Sequence, residues 1–170
     1  MTICICAWQD VEHHVADLSA SHLISLLGVE GRADTPPGIT PENHLNLDID
    51  DIDYELSGYR SPQPGDVARI IEFGAAWDAR GALVVHCFAG ISRSSAAAMT
   101  LLCQHNPGRE QELADLLRAQ SAHVRPNPLM IEFADELLHC QGRLVAAAAS
   151  MSPPEFTVPA PATITPAKLL

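Results

Sequence analysis

Cys87 and Arg93 are separated by five uncharged residues, Phe88, Ala89, Gly90, Ile91 and Ser92, and Ser94 follows. A cysteine thiolate is a strong nucleophile, and a guanidinium fork holds two oxygens of a tetrahedral anion at once. The intervening residues carry no charge, so an anion held here would rest on backbone N–H groups and on Arg93. Gly90 supplies backbone freedom at the tightest part of the turn. A positive charge at the positive end of a helix is unfavourable by itself, so Arg93 calls for an anion nearby. The same field favours the thiolate of Cys87. Ser94 is placed to donate a hydrogen bond to the sulfur and help it leave. His86 is read as orienting the loop through hydrogen bonds rather than transferring protons.

The elements around this segment must deliver that geometry. Ala82-Leu-Val-Val-His86 is a continuous apolar run, as in a strand buried on both faces. A helix is expected from about Ser94 to Gln104, so the loop opens into a helix start, where backbone N–H groups form an anion nest. Its Ala96-Ala97-Ala98 run would let it lie close to the sheet. Residues 1–6 and 22–27 read as strands, and 44–49 alternates apolar and polar residues. Asp66 is expected to cap a helix over about 66–79, with Gly81 closing it. Two more helices are expected, one over about 109–121. The other starts at Asn127, with Pro128 in its first position, and continues through the Ala-rich stretch 142–150. Strands alternating with helices give an α/β class: a central, mostly parallel sheet flanked by helices.

Two parts are expected, a domain over 1–150 and a Pro/Ala-rich tail over 151–170. The tail reads as extended, with Phe156, Val158 and Ile164 available to pin it. The length of 170 residues suits one core of ordinary size. A net charge of −11 argues against nucleic acid and against anionic lipid as partners. No apolar run is long enough to span a membrane and the start lacks a basic leader, so the expected compartment is the cytosol. The five cysteines, Cys4, Cys6, Cys87, Cys103 and Cys140, do not suggest a disulfide framework. Cys4 and Cys6 read as buried strand residues, Cys103 as core, and Trp8 and Trp77 as packing residues.

His86-Cys87-x5-Arg93-Ser94 resembles the signature loop of the protein tyrosine phosphatase superfamily. Its form is closest to the small dual-specificity phosphatases and their bacterial relatives. The resemblance extends over roughly residues 20–140, through the acidic loop before the signature and Arg125-Pro126-Asn127 after it. No Trp-Pro-Asp triplet is present, and the chain is too short for the larger tyrosine-specific domain. The resemblance implies phosphotyrosine hydrolysis, with phosphoserine or phosphothreonine as further substrates, through a phosphocysteine intermediate. It implies a phosphorylated protein or small phosphomonoester as partner, and no metal or other cofactor. Cys87 would be the nucleophile, and residues 88–92 with Arg93 would hold the phosphate. Asn127 would cap its helix and brace the loop.

In this superfamily a carboxyl group on a loop protonates the leaving oxygen. The candidates are Asp48, Asp50, Asp51 and Asp53. The acid follows an apolar-x-apolar-x strand end, and Leu47-Asp-Ile49-Asp-Asp51 nominates Asp51, with Asp50 in reserve. Parity agrees, because Leu45, Leu47 and Ile49 share one face while Asp51 lies just beyond the strand. A calcium loop beginning at Asp48 fails, because Asp53 and Tyr59 stand where Gly and Glu are required. Arg125 is read as a substrate contact or a surface residue. Two other functions stay open: a non-catalytic phosphate-binding module, and rhodanese-like or arsenate-reductase-like thiol chemistry. The uncharged loop argues against highly phosphorylated substrates.

Overall fold

The computed structural model describes residues 2–78, 81–155, 162–166 and 168. Among the described residues five strands form one sheet, in the order β3-β2-β4-β1-β5. These are β1 (Thr2–Ala7), β2 (His22–Leu26), β3 (His44–Leu47), β4 (Leu83–Cys87) and β5 (Thr163–Pro166). The first four run parallel, and β5 pairs antiparallel with β1. Every residue of β2 and β4 is buried, as strands with neighbours on both edges and cover on both faces require.

Among the described residues six α-helices cover the sheet: α1 (Val11–Asp17), α2 (Pro64–Ala76), α3 (Arg93–His105), α4 (Glu110–Gln120), α5 (Pro128–Leu137) and α6 (Arg143–Ser150). One face carries Ile3, Ile5, Ile24, Leu26, Leu83 and Val85 against the buried sides of α2 to α6. The other carries Cys4, Cys6, Leu23 and Val84 against Val11 and Val15 of α1. The central helix is α3, buried from Arg93 through Cys103. Its alanines 96–98 are fully buried, and the small side chains let the helix lie on β4, β1 and β2.

Several local expectations change. The α2 helix begins at Pro64, and Asp66 is not its cap. Instead the Asp66 carboxylate accepts from the Gln63 N–H at 2.9 Å and pairs with Arg60 at 2.8 Å. The Ala-rich stretch is not a continuation of α5. The chain turns through left-handed His139, Gln141 and Gly142, and Asp135 gathers the N–H groups of Gly142 and Leu144 to start α6. The helix α1 and the strand β5 were not expected. In β5 the threonines 163 and 165 are buried, while Ile164 faces outward. Phe156 and Val158 lie outside the described residues. Trp77 is core, but Trp8 is 39% exposed. All five cysteines are unbridged and buried.

Candidate active site

The site lies at the carboxyl ends of the parallel strands, where open α/β sheets bind ligands. There β4 ends on Cys87, which is 1% exposed and pairs in register with Ala7 of β1. The loop 88–92 then curls over the end of β1 and enters α3. Gly90 has φ of +74°, and a Cβ there would stand 2.7 Å from the carbonyl carbon of Cys6. Only glycine meets both demands. The loop carbonyls are tied from outside. Trp8 N–H donates to Phe88 O at 3.2 Å, Arg125 N–H to Ile91 O at 3.0 Å, and Asn127 N–H to Ser92 O at 3.3 Å. In a trans peptide each held carbonyl turns the N–H that follows it, here those of Ala89, Ser92 and Arg93, the opposite way.

Arg93 is 2% exposed and fully engaged on one side. Its Nη2 donates to Glu30 Oε1 at 2.7 Å, and its Nη1 to Glu30 Oε2 at 3.2 Å and to Ile49 O at 2.9 Å. Its Nε is buried without a hydrogen-bond partner. A donor in that state points to a missing acceptor. Burial opposes the charge of Arg93, but hydrogen bonds to Glu30 and the nearby negative groups outweigh it and raise its pKa. Burial likewise pushes the Glu30 carboxyl up, yet Arg93 and the Gly28 N–H hold it below its ordinary value. Glu30 thus supplies an anion at the helix start, on the side away from Nε.

Three other expected residues converge. Ser94, fully buried, has its hydroxyl 3.2 Å from Cys87 Sγ. The Asp51 carboxylate lies 4.0 Å from Arg93 Nε and accepts from Ser92 Oγ at 2.6 Å and Asn127 Nδ2 at 3.3 Å. Asn127 Oδ1 accepts from Met130 N–H at 3.1 Å, so one residue caps α5 and fastens both the acidic loop and the signature loop. Asp50 is turned away. It is 4% exposed and clasps the Val29 N–H at 2.7 Å and the Arg60 N–H at 2.6 Å. Asp53 and Arg125 line a cleft of about 280 Å³ beside Asp51 and Ser92. Exposed Phe88 and Trp8 form an aromatic pair on the opposite rim, with centroids 6.4 Å apart. His86 is fully buried, and burial pushes its pKa down to about 4, leaving the ring neutral. Among the described residues no cluster of three or more His, Cys, Asp or Glu could hold a metal ion.

Sequence reasoning missed Glu30. Its one signal is position: an acid between Gly28 and Gly31, immediately past the end of a parallel strand.

The fold has counterparts among solved structures. Human DUSP28 matches with TM-score 0.61 and 17% identity, over 82% of this chain and 92% of that one. DUSP15 matches with TM-score 0.65 and 17% identity, over 89% and 92%. The fold is that of the small dual-specificity phosphatases. PTPMT1 in complex with PI(5)P matches with TM-score 0.59 and 20% identity, over 85% of this chain and 90% of that one. A curated relative, MAP kinase phosphatase with leucine-rich repeats protein 3 of Dictyostelium discoideum, is 34% identical over 64 residues. That match spans 38% of this chain and 7% of the relative's length. No family model matches the chain. Among the described residues no helix is long and apolar enough to cross a membrane.

Proposed function

We propose that this protein is a cysteine-dependent phosphomonoester phosphatase acting on phosphotyrosine, with phosphoserine and phosphothreonine as further substrates. The observation that carries the reading is Arg93: a buried guanidinium held by Glu30, with an Nε that has no hydrogen-bond partner and lies 4.0 Å from Asp51. A phosphate oxygen completes that donor set. The fold shared with dual-specificity phosphatases supports the same reading.

In the first step the Cys87 thiolate attacks phosphorus in line with the ester oxygen. A phosphorus–sulfur bond forms and the phosphorus–oxygen bond breaks. Asp51 gives its proton to the departing oxygen. In the second step water attacks phosphorus, and its proton passes to Asp51. The sulfur leaves as thiolate, with the Ser94 hydroxyl donating to it. The N–H groups of the loop and Arg93 hold the equatorial oxygens throughout. The rim offers a phenyl ring the exposed faces of Phe88 and Trp8. Residues 88–92 carry no cation to meet further phosphates, which favours a singly phosphorylated substrate. The preferred compartment is the cytosol.

The test is hydrolysis of an aryl phosphate without added metal, beside Cys87→Ser. Turnover that disappears in the variant supports the mechanism. Turnover that survives it, or none from clean reduced protein, refutes it; the latter favours a binding module or another thiol chemistry.

A further inference from the structure

Behind the signature loop, on the side away from the anion site, a file of polar side chains crosses the sheet. His86 Nδ1 lies 3.3 Å from the Cys87 carbonyl oxygen, and its Nε2 lies 2.6 Å from Ser25 Oγ. Ser25 Oγ lies 2.8 Å from His44 Nε2, and His44 Nδ1 lies 2.8 Å from Thr35 Oγ1. The topology makes this meeting possible. The central strand β2 sets Ser25 opposite His86 of β4, with β3 and His44 on its other edge.

The direction of every hydrogen in this file follows from its inner end. A carbonyl only accepts, so His86 Nδ1 carries a hydrogen. The neutral ring then has its lone pair on Nε2, and Ser25 must donate to it. The Ser25 oxygen is left as an acceptor, so His44 Nε2 carries a hydrogen and donates. His44, whose pKa is lowered by burial and then by Arg32, has its own lone pair on Nδ1. The Thr35 hydroxyl donates there, and of the two ring nitrogens near Asn46 Nδ2, at 3.4 Å (Nδ1) and 3.1 Å (Nε2), only Nδ1 can accept from it, because Nε2 carries the hydrogen given to Ser25. The exposed hydroxyl of Thr35 is thus joined in one sense to the backbone of the nucleophile.

That connection has a consequence for the cradle. In a trans peptide the C=O and the following N–H point in opposite directions. Holding the Cys87 carbonyl toward His86 turns the Phe88 N–H toward the other side of the peptide plane, where the anion would sit. We propose that Ser25 and His44 are positioning residues, which lock His86 in its Nδ1–H tautomer and through it fix the peptide that joins Cys87 to the phosphate cradle. This rests on reading Cys87 as the nucleophile. The charged and titratable groups that bear on the two rings are Arg93 and His44 on His86, and Arg32 on His44. A second proton on His86 would face Ser25 with donors on both sides and break the file.

The test combines imidazole proton–nitrogen correlation spectra of isotope-labelled protein, the rate of Cys87 alkylation by iodoacetamide, and kcat on an aryl phosphate. Wild-type His86 is expected as the Nδ1–H tautomer at neutral pH. Ser25→Ala is expected to mix the tautomers and to slow both alkylation and kcat by about 10-fold, with little change in KM, since small misplacements of a reacting group are costly. Ser25→Thr, which keeps the hydroxyl, should restore a single tautomer and both rates. Should Ser25→Ala fail to fold, His44→Leu on the edge-strand side carries the same expectation, and His44→Gln, whose amide can still donate to Ser25, should behave as wild type. An Nε2–H tautomer in the wild type overturns the proposal, as do unchanged tautomer and rates in His44→Leu. A protein inactive on aryl phosphates, but with the expected tautomer and alkylation pattern, supports the positioning file while refuting the phosphatase reading.

Discussion

Removing the carboxylate of Glu30 should damage both the fold and the site, by an amount the geometry fixes. Arg93 is 2% exposed and Glu30 21% exposed, and they share two hydrogen bonds, at 2.7 and 3.2 Å. In Glu30→Ala the Ile49 carbonyl still accepts from Nη1, but Nη2 joins Nε as a buried donor without an acceptor. Breaking one side of a buried ion pair costs about 3–5 kcal/mol. Partial access of water to the Glu30 side favours the lower end, about 3 kcal/mol. For a chain of this length that lowers the melting temperature by roughly 6–12 °C. Glu30→Gln keeps one acceptor and should lose about half as much. The guanidinium would also lose its aim, so kcat/KM on an aryl phosphate should fall by about 100-fold in Glu30→Ala. Acidity adds a check. The Glu30 carboxyl is held below its ordinary value of 4.5 in the folded protein. Its stabilisation is therefore full above that value and is lost as pH falls through the folded pKa, a dependence Glu30→Gln should lack. Thermal melts and steady-state kinetics make the comparison. A Glu30→Ala variant that melts and turns over like wild type would refute the reasoning.

Three further outcomes are expected. Asp51→Asn should lower kcat on phenyl phosphate by about 100-fold with an unchanged melting temperature, whereas Asp50→Asn should cost about 1–3 kcal/mol in denaturant unfolding, because Asp50 holds two backbone N–H groups. Gly90→Ala should lose activity and about 2 kcal/mol of stability, read by the same two assays, since φ is +74° and its Cβ would meet the backbone of Cys6. Folding lowers the pKa of His86 from 6.5 to about 4 by burial. Its contribution is complete above pH 6.5 and lost as pH falls through about 4, up to about 3 kcal/mol, so His86→Asn should flatten unfolding free energy against pH over that range.

The signature segment was legible because several local signals coincide there: a buried apolar strand, a glycine at the turn and a helix start. Asn127 and Pro128 were legible for the same reason, since a cap and a first-turn proline act within one helix turn. Asp51 was nominated by the resemblance, with strand parity in agreement, and its carboxylate stands 4.0 Å from Arg93 Nε. What failed was long-range. Glu30 and Arg93 stand 63 positions apart, and Ser25 and His86 stand 61 apart. Those pairs meet only because β2 lies beside β4, an order that spacing does not reveal. The helix α1 shows only Val11 and Val15 to the core and follows β1 through a short 3-10 turn, without a break in the sequence. The strand β5 hides in a Pro-rich stretch, where an edge position tolerates Pro166. Trp8 was read as packing, but it is 39% exposed and meets the loop twice, by its backbone N–H on the Phe88 carbonyl and by its ring beside the Phe88 ring.

The most direct test of the central claim is to trap the intermediate. An aryl phosphate with a good leaving group needs little acid help in the first step, so Asp51→Ala should stall at the second, where water must lose its proton. Rapid acid quenching followed by peptide mass spectrometry should find a phosphoryl group on the peptide containing Cys87, absent from Cys87→Ser. Burst release of the phenol without any phosphoryl group on Cys87, or with one on another residue, would contradict the account.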